Sequence, residues 1–138
     1  MNHFINAFKL YGVFSGRSTR TEYWMFTLVY ILVYTALMLI ALLLDNEAFH
    51  FVVSILTLGV IVPSLSITAR RLHDAGRSGW WQATPFIGYF FAMIGVLQQS
   101  QFLMITAAIF ALVLTVLLLI FLVQSSQDDN KYGTKPQL

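Results

Sequence analysis

Charged side chains are scarce in this chain and fall mainly into three clusters, so any chemistry must begin there. The first cluster holds Arg17, Arg20 and Glu22, with Tyr23 and Trp24 directly after. The second is the densest: Arg70, Arg71, His73, Asp74 and Arg77, interleaved with Gly76 and Ser78 and closed by Trp80 and Trp81. The third, near the end, carries Asn130, Lys131, Tyr132 and Gly133 behind an acidic pair. Two readings fit the arginines. Their planar forks bind phosphate oxygens in pairs, so Arg17, Arg20, Arg70, Arg71 and Arg77 could grip a lipid phosphate or another phosphorylated ligand. Equally, arginines at helix ends hold orientation, snorkel and pair with acids, here Glu22 and Asp74. Spacing does not separate the two.

His73 and Asp74 invite a catalytic story, with Glu22 as a third member acting on a lipid headgroup. Neighbours on a helix point about 100° apart, however, and rarely form a dyad. The sequence favours Asp74 as a helix cap or arginine partner, with Gly76 allowing the turn. His73 could titrate near neutrality. A metal would need further ligands, and His3 and His50 lie far from the cluster, so no metal and no cofactor is expected. There is no nucleophile elbow, no two-histidine helix with its glutamate and no phosphate-cradling glycine loop, which favours a non-enzymatic protein.

These clusters are separated by long apolar runs. Of 138 residues 58% are hydrophobic and 10% charged, and the mean hydropathy is +0.74. A soluble domain needs roughly a quarter of its residues charged. Lipid is therefore the expected solvent, and a single membrane domain the expected organisation. A net charge of +2 does not point to nucleic acid. The absence of cysteine excludes disulfides. The N-terminus lacks the pattern of a removable signal peptide.

Four spans are predicted, at about 23–44, 49–69, 80–97 and 102–123, with a tail over 124–138. Thr19 and Glu22 form a capping box at the start of the first. Asp45-Asn46-Glu47 makes a tight turn into the second. Pro63 frees the carbonyl of Gly59, and Ser64, Ser66 and Thr68 are placed to help satisfy it. Gln98-Gln99-Ser100-Gln101 breaks the last uncharged stretch of about 50 residues into two spans. Ahead of the first span, residues 1–14 place Phe4, Ile5, Phe8 and Tyr11 at helical spacing, as an amphipathic interfacial helix or one packed under the bundle. With four spans, all eight Lys and Arg fall on the side of the termini and only Asp45 and Glu47 on the other. The positive-inside rule then puts both termini in the cytoplasm. The expected fold is an all-α membrane protein, a four-transmembrane-helix bundle with an N-terminal amphipathic interfacial helix.

Three segments carry a family resemblance. Phe14-Ser-Gly-Arg-Ser-Thr-Arg-Thr-Glu-Tyr-Trp24 resembles the opening motif of the bacterial inner-membrane family known as domain of unknown function eight hundred and five. Arg70-Arg-Leu-His-Asp-Ala-Gly-Arg-Ser-Gly-Trp-Trp81 resembles its central motif, and Asn130-Lys-Tyr-Gly133 its closing signature. The resemblance spans essentially the whole chain and implies a bacterial inner-membrane location. It supplies no activity. The chain departs from the common pattern near its end, where a second apolar helix and the acidic Ser-Ser-Gln-Asp-Asp-Asn stand before the signature.

The leading functional expectation is a non-enzymatic membrane protein whose cytoplasmic Arg- and Trp-rich face binds anionic lipid headgroups or a partner protein. A second is a subunit of an oligomeric pore or small-solute transporter, motivated by the Pro63 kink and the small-residue pairs Gly88/Ala92 and Ala107/Ala111. The spans carry no intramembrane charge, which disfavours a transporter acting alone. The third is the headgroup enzyme using His73 and Asp74.

Overall fold

The structure is a computed structural model and describes residues 9–136. The helices are α1, Arg20–Leu44; α2, Glu47–Asp74; α3, Thr84–Leu97; and α4, Gln101–Val123, with a 3-10 turn at Gly79–Ala83 before α3. Among the described residues the one β pairing is an isolated bridge between Asn130 and Gly133 in the tail. Most of the N-terminal helix expected over residues 1–14 lies outside the described residues.

The start of α1 is set by the expected capping box. Thr19 Oγ1 accepts from Glu22 N at 3.2 Å, and Glu22 Oε2 accepts from Thr19 N at 3.0 Å. Asp45, in the left-handed region at φ 44°, ends α1, and the side chain of Asn46 caps α2 by accepting from Phe49 N at 3.2 Å. Both ends of this turn are thus satisfied within it.

Two boundaries differ from the sequence expectation. The second helix does not stop at Ala69 but runs to Asp74, so Arg70, Arg71, His73 and Asp74 stand on a helix. Arg and Leu are good helix formers, and no breaker intervenes before Gly76, whose φ of +71° turns the chain. The third expected span, 80–97, is divided. Ser78 caps a 3-10 turn carrying both tryptophans, and Pro85 begins a regular helix of 14 residues. That helix rises about 21 Å, short of the roughly 30 Å of a bilayer core. Three helices, α1, α2 and α4, are long and apolar enough to cross a membrane.

The proline in α2 is accommodated in an unforeseen way. The hydroxyl of Tyr11 donates to the Gly59 carbonyl at 2.7 Å. The expected hydroxyls serve other carbonyls: Ser66 Oγ bonds Pro63 O at 3.1 Å, and Thr68 Oγ1 bonds Ser64 O at 2.7 Å. The segment before α1 is thereby tied to the middle of α2.

Helices α3 and α4 form a close hairpin. A Cβ built on Gly88 would lie 2.5 Å from Ala111 Cβ, and one on Gly95 would lie 2.9 Å from Met104 N. Only glycine permits such backbone approach. The small residues singled out in the sequence therefore serve contacts within the chain at Gly88, Ala107 and Ala111.

Burial is inverted relative to a water-soluble protein. The largest fully buried side chains include Arg71, Asp74, Ser18 and Ser66 beside Phe26, Ile67 and Leu72. Leu42, Leu43 and Phe102, by contrast, are 73%, 84% and 75% exposed. Apolar helix faces left open suit lipid, while polar groups at the helix ends must be satisfied inside the protein.

Candidate functional site

Asp74 is the hub of that buried end. As the last residue of α2 its side chain is 0% exposed, and every acceptor direction is used. Oδ1 accepts from Arg17 Nε at 3.0 Å and Arg17 Nη2 at 2.8 Å. Oδ2 accepts from Arg71 Nη1 and from Ser126 Oγ at 2.6 Å. Two donors of the Arg17 guanidinium converge on the one oxygen, Oδ1, as charge-assisted hydrogen bonds.

Each arginine then spends its remaining donors on main chain. Arg17 Nη1 reaches Asp128 O and Gly133 O, both at 2.9 Å, and Arg17 Nη2 reaches Gln127 O. Arg71 Nε donates to Leu122 O at 3.0 Å, and Arg71 Nη2 donates to Gln124 O. Helix α4 ends with carbonyls that lack helical partners, and a cation there also opposes the negative end of its dipole. One carboxylate and two guanidiniums thus join the segment before α1, the end of α2 and the tail after α4.

Residues of the third cluster dock on the same hub. The His73 and Tyr132 rings stack with centroids 3.9 Å apart and planes 7° from parallel. Asn130 Nδ2 donates to His73 O at 3.0 Å, and Asn130 Oδ1 accepts from Tyr132 N at 2.9 Å. Gly76 turns the chain at φ +71°, a conformation that side-chain-bearing residues rarely adopt, with the Gln127 side chain lying over it. His73 Nδ1 lies 3.1 Å from Gly16 O. A carbonyl can only accept, so Nδ1 carries the proton and Nε2 is left as an acceptor. His73 stands beyond the apolar stretch of α2, and burial lowers its pKa. The Gly16 bond opposes that shift, and the charge of Lys131 adds to it.

His73 and Asp74 share no hydrogen bond. The carboxylate faces the two arginines and Ser126, the imidazole faces Gly16 and Tyr132. Glu22 belongs to the cap and also accepts from Ser18 Oγ at 2.9 Å. Among the described residues three ion pairs form, and Glu22 is in none.

Arg20, Arg70 and Arg77 are disposed differently. Arg70 is 4% exposed, and its Nη2 has no hydrogen-bond partner among the described residues. Its Nε makes a long bond, 3.4 Å, to Ser66 O, and its carbonyl accepts from Ser18 N at 3.1 Å. Arg20 is exposed, and its charge acts on Arg71. Arg77 is exposed and lies over the Phe121 ring at 4.6 Å, while Trp81 meets the same ring edge-on at 5.1 Å. Trp80 is 82% exposed, and Trp24 packs edge-on against Tyr23 at 5.2 Å. Sequence reasoning missed Ser126 and the tail carbonyls. A carbonyl has no residue identity, and Ser126 sat in a stretch notable only for its acids.

Comparison with known proteins agrees with these motifs. The family described as Protein of unknown function (DUF805) matches residues 11–134. The chain is similar to Inner membrane protein YhaI of Escherichia coli (strain K12), 31% identical over 140 residues, which cover 99% of this chain and 97% of that protein. It is similar also to Inner membrane protein YhaH of the same strain, 34% identical over 100 residues, 68% of this chain and 83% of that protein. No solved structure matches. The chain belongs to the DUF805 family.

Proposed function

We propose that this member of the family is a non-enzymatic, four-pass inner-membrane protein, with both termini cytoplasmic, whose charged end binds anionic lipid headgroups. The observation that carries the binding is an imbalance: Arg17, Arg20, Arg70 and Arg71 stand in one neighbourhood with Glu22 and Asp74, while the tail acids Asp128 and Asp129 are engaged by Lys135. Arg17 and Arg71 are spent on Asp74 and Arg70 is buried, which leaves Arg20 as the exposed cation of this group. Arg77 adds a further cation beside the aromatic belt of Trp80 and Trp81. Cations at headgroup depth gain about 1 kcal/mol each from an anionic leaflet.

The hub supports an even pass number. Hydrogen bonds from Arg17 to Gly133 O and Asp128 O hold the segment before α1 and the tail after α4 on one side. An even number of crossings satisfies that constraint. The 3-10 turn and α3, placed end to end, rise about 31 Å, enough for a crossing. The enclosure of Asp74 and the separate engagement of His73 support a binding rather than a catalytic role.

The test is lipid retention. Purified from membranes in mild detergent, the Arg20→Gln/Arg77→Gln variant should keep several-fold less phosphatidylglycerol and cardiolipin than the parent. Insertion should be unchanged and the unfolding midpoint should fall little, because neither residue belongs to the Asp74 hub and Arg77, which is exposed, gives up only its contact with Phe121. Equal retention of anionic lipid overturns the reading.

A further inference from the structure

The turn at residues 130–133 is held to the hub chiefly through His73. The imidazole stacks on Tyr132, and the His73 carbonyl accepts from Asn130 Nδ2 at 3.0 Å. The turn also closes on itself: Asn130 N donates to Gly133 O at 3.2 Å, and Gly133 N to Asn130 O at 3.0 Å. Arg17 Nη1 donates to the same Gly133 carbonyl. Lys131 and Gly133 are exposed, and Asn130 and Tyr132 are half-buried. A surface turn with so little buried apolar contact opens more readily than the helices beneath it.

Charge decides how well the stack closes. Lys131 holds its ammonium 5.0 Å from the centre of the Tyr132 ring, so an imidazolium on that ring meets a like charge. No free acid stands nearby to offset it. Gly16 offers a carbonyl, and Phe14, Gly79, Trp80 and Gln82 are uncharged. The Asp74 carboxylate is turned to Arg17 and Arg71, and Arg77 lies over Phe121.

We propose that this turn is a proton-sensitive latch on the charged end: it closes on neutral His73, lifts when the imidazole is protonated, and then yields Arg17 to anionic headgroups. Burial first, and the Lys131 charge with it, lower the pKa of the latched imidazole against the Gly16 bond. The closed latch therefore binds fewer protons than the open one. Closure is complete above the free imidazole's pKa of about 6.5 and is lost as pH falls through the lowered value. While the latch is closed, the Arg17 side chain is 2% exposed. Opening removes the Gly133 carbonyl from Nη1. A phosphate oxygen is the stronger acceptor there, since a charge-assisted hydrogen bond is roughly twice as strong as a neutral one. Two guanidiniums share the single carboxylate of Asp74, so the hub also has a positive charge to spare. This regulation rests on the anionic-headgroup reading for its last step, and the latch itself does not.

The full chain has no cysteine, so Thr134→Cys, exposed beside the turn, carries a single spin label. The protein is placed in nanodiscs of phosphatidylglycerol and phosphatidylcholine in equal parts at pH 7.5 and pH 5.5, a range over which both lipids keep their charge. The label should be ordered at pH 7.5 and mobile at pH 5.5, and phosphatidylglycerol retained after gentle extraction should rise at least twofold. His73→Gln, which cannot titrate in this range, should remove both responses. Lys131→Gln, at an exposed position, should shrink the label's response by removing the like charge. Equal label mobility in the parent at the two pH values overturns the proposal. So does a response of undiminished size in Lys131→Gln, or in His73→Gln if that variant folds. Phosphatidylglycerol retention that ignores pH while the label responds overturns the yielding of Arg17. Equal retention by parent and Arg20→Gln/Arg77→Gln at pH 7.5 overturns the anionic-headgroup reading separately.

Discussion

At the scale of single residues, Asp74 shows how a carboxylate can be structural and yet resemble a catalytic group. Removing water from two guanidiniums and a carboxylate is expensive, and the cost is met only while every member is present. Asp74→Asn retains the shape but leaves Arg17 and Arg71 without a counter-charge where both are almost fully buried. The expected loss is about 3–5 kcal/mol in denaturant unfolding in detergent, with the tail becoming protease-sensitive. Lys135 and Asp128 also form an ion pair, at 3.1 Å, but in solvent. Lys135→Gln should therefore leave the unfolding midpoint where it is, since exposed pairs contribute little. An Asp74→Asn variant as stable as the parent would contradict the hub as described. The sequence displayed all three hub charges, because charge in an apolar chain is conspicuous. It did not display which acid each arginine takes. Thr19 three residues earlier marked Glu22 as a cap, but spacing did not say whether it also pairs with an arginine, and only the fold makes Asp74 the buried acceptor of both.

At the scale of elements, the lesson is at the proline. The orphan carbonyl of Gly59 was legible, since it follows from proline's missing N–H. Its partner was not, because Tyr11 is distant in sequence and nearer hydroxyls were available. A double-mutant cycle isolates the contact. Tyr11→Phe should cost about 1 kcal/mol, the usual scale for one hydrogen bond. Pro63→Ala restores an N–H able to bond Gly59 O, so in that background Tyr11→Phe should cost almost nothing. Strict additivity of the two changes would show that Tyr11 does not serve this carbonyl. Element ends were the less legible part of the fold for a related reason. Hydropathy marks where apolar residues stop, whereas the helix stops where a backbone breaker acts. Hence α2 outruns its apolar stretch to Asp74, two residues before Gly76, and Pro85 with its capped 3-10 turn shortens α3.

At the scale of the molecule, the tail and the segment before α1 meet on one carboxylate, and this constrains topology more strongly than charge bias does. The positive-inside argument counts charges and would tolerate an exception. Hydrogen bonds from Arg17 to the main chain at Gln127, Asp128 and Gly133 would not, because their two ends cannot lie across a membrane from one another. The chain has no cysteine, so single cysteines report cleanly. Glu47→Cys and Gln98→Cys, exposed at the two turns opposite the hub, should react with a membrane-impermeant thiol reagent added to intact cells. Ser15→Cys and Ser125→Cys, exposed at the hub end, should react only after the membrane is permeabilised. The informative position is Gln98, at the end of the helix too short to cross alone. Labelling there from outside means that the 3-10 turn and α3 cross together. Protection of Gln98 would instead leave α3 on the cytoplasmic side, and α4 would then carry the tail away from Arg17.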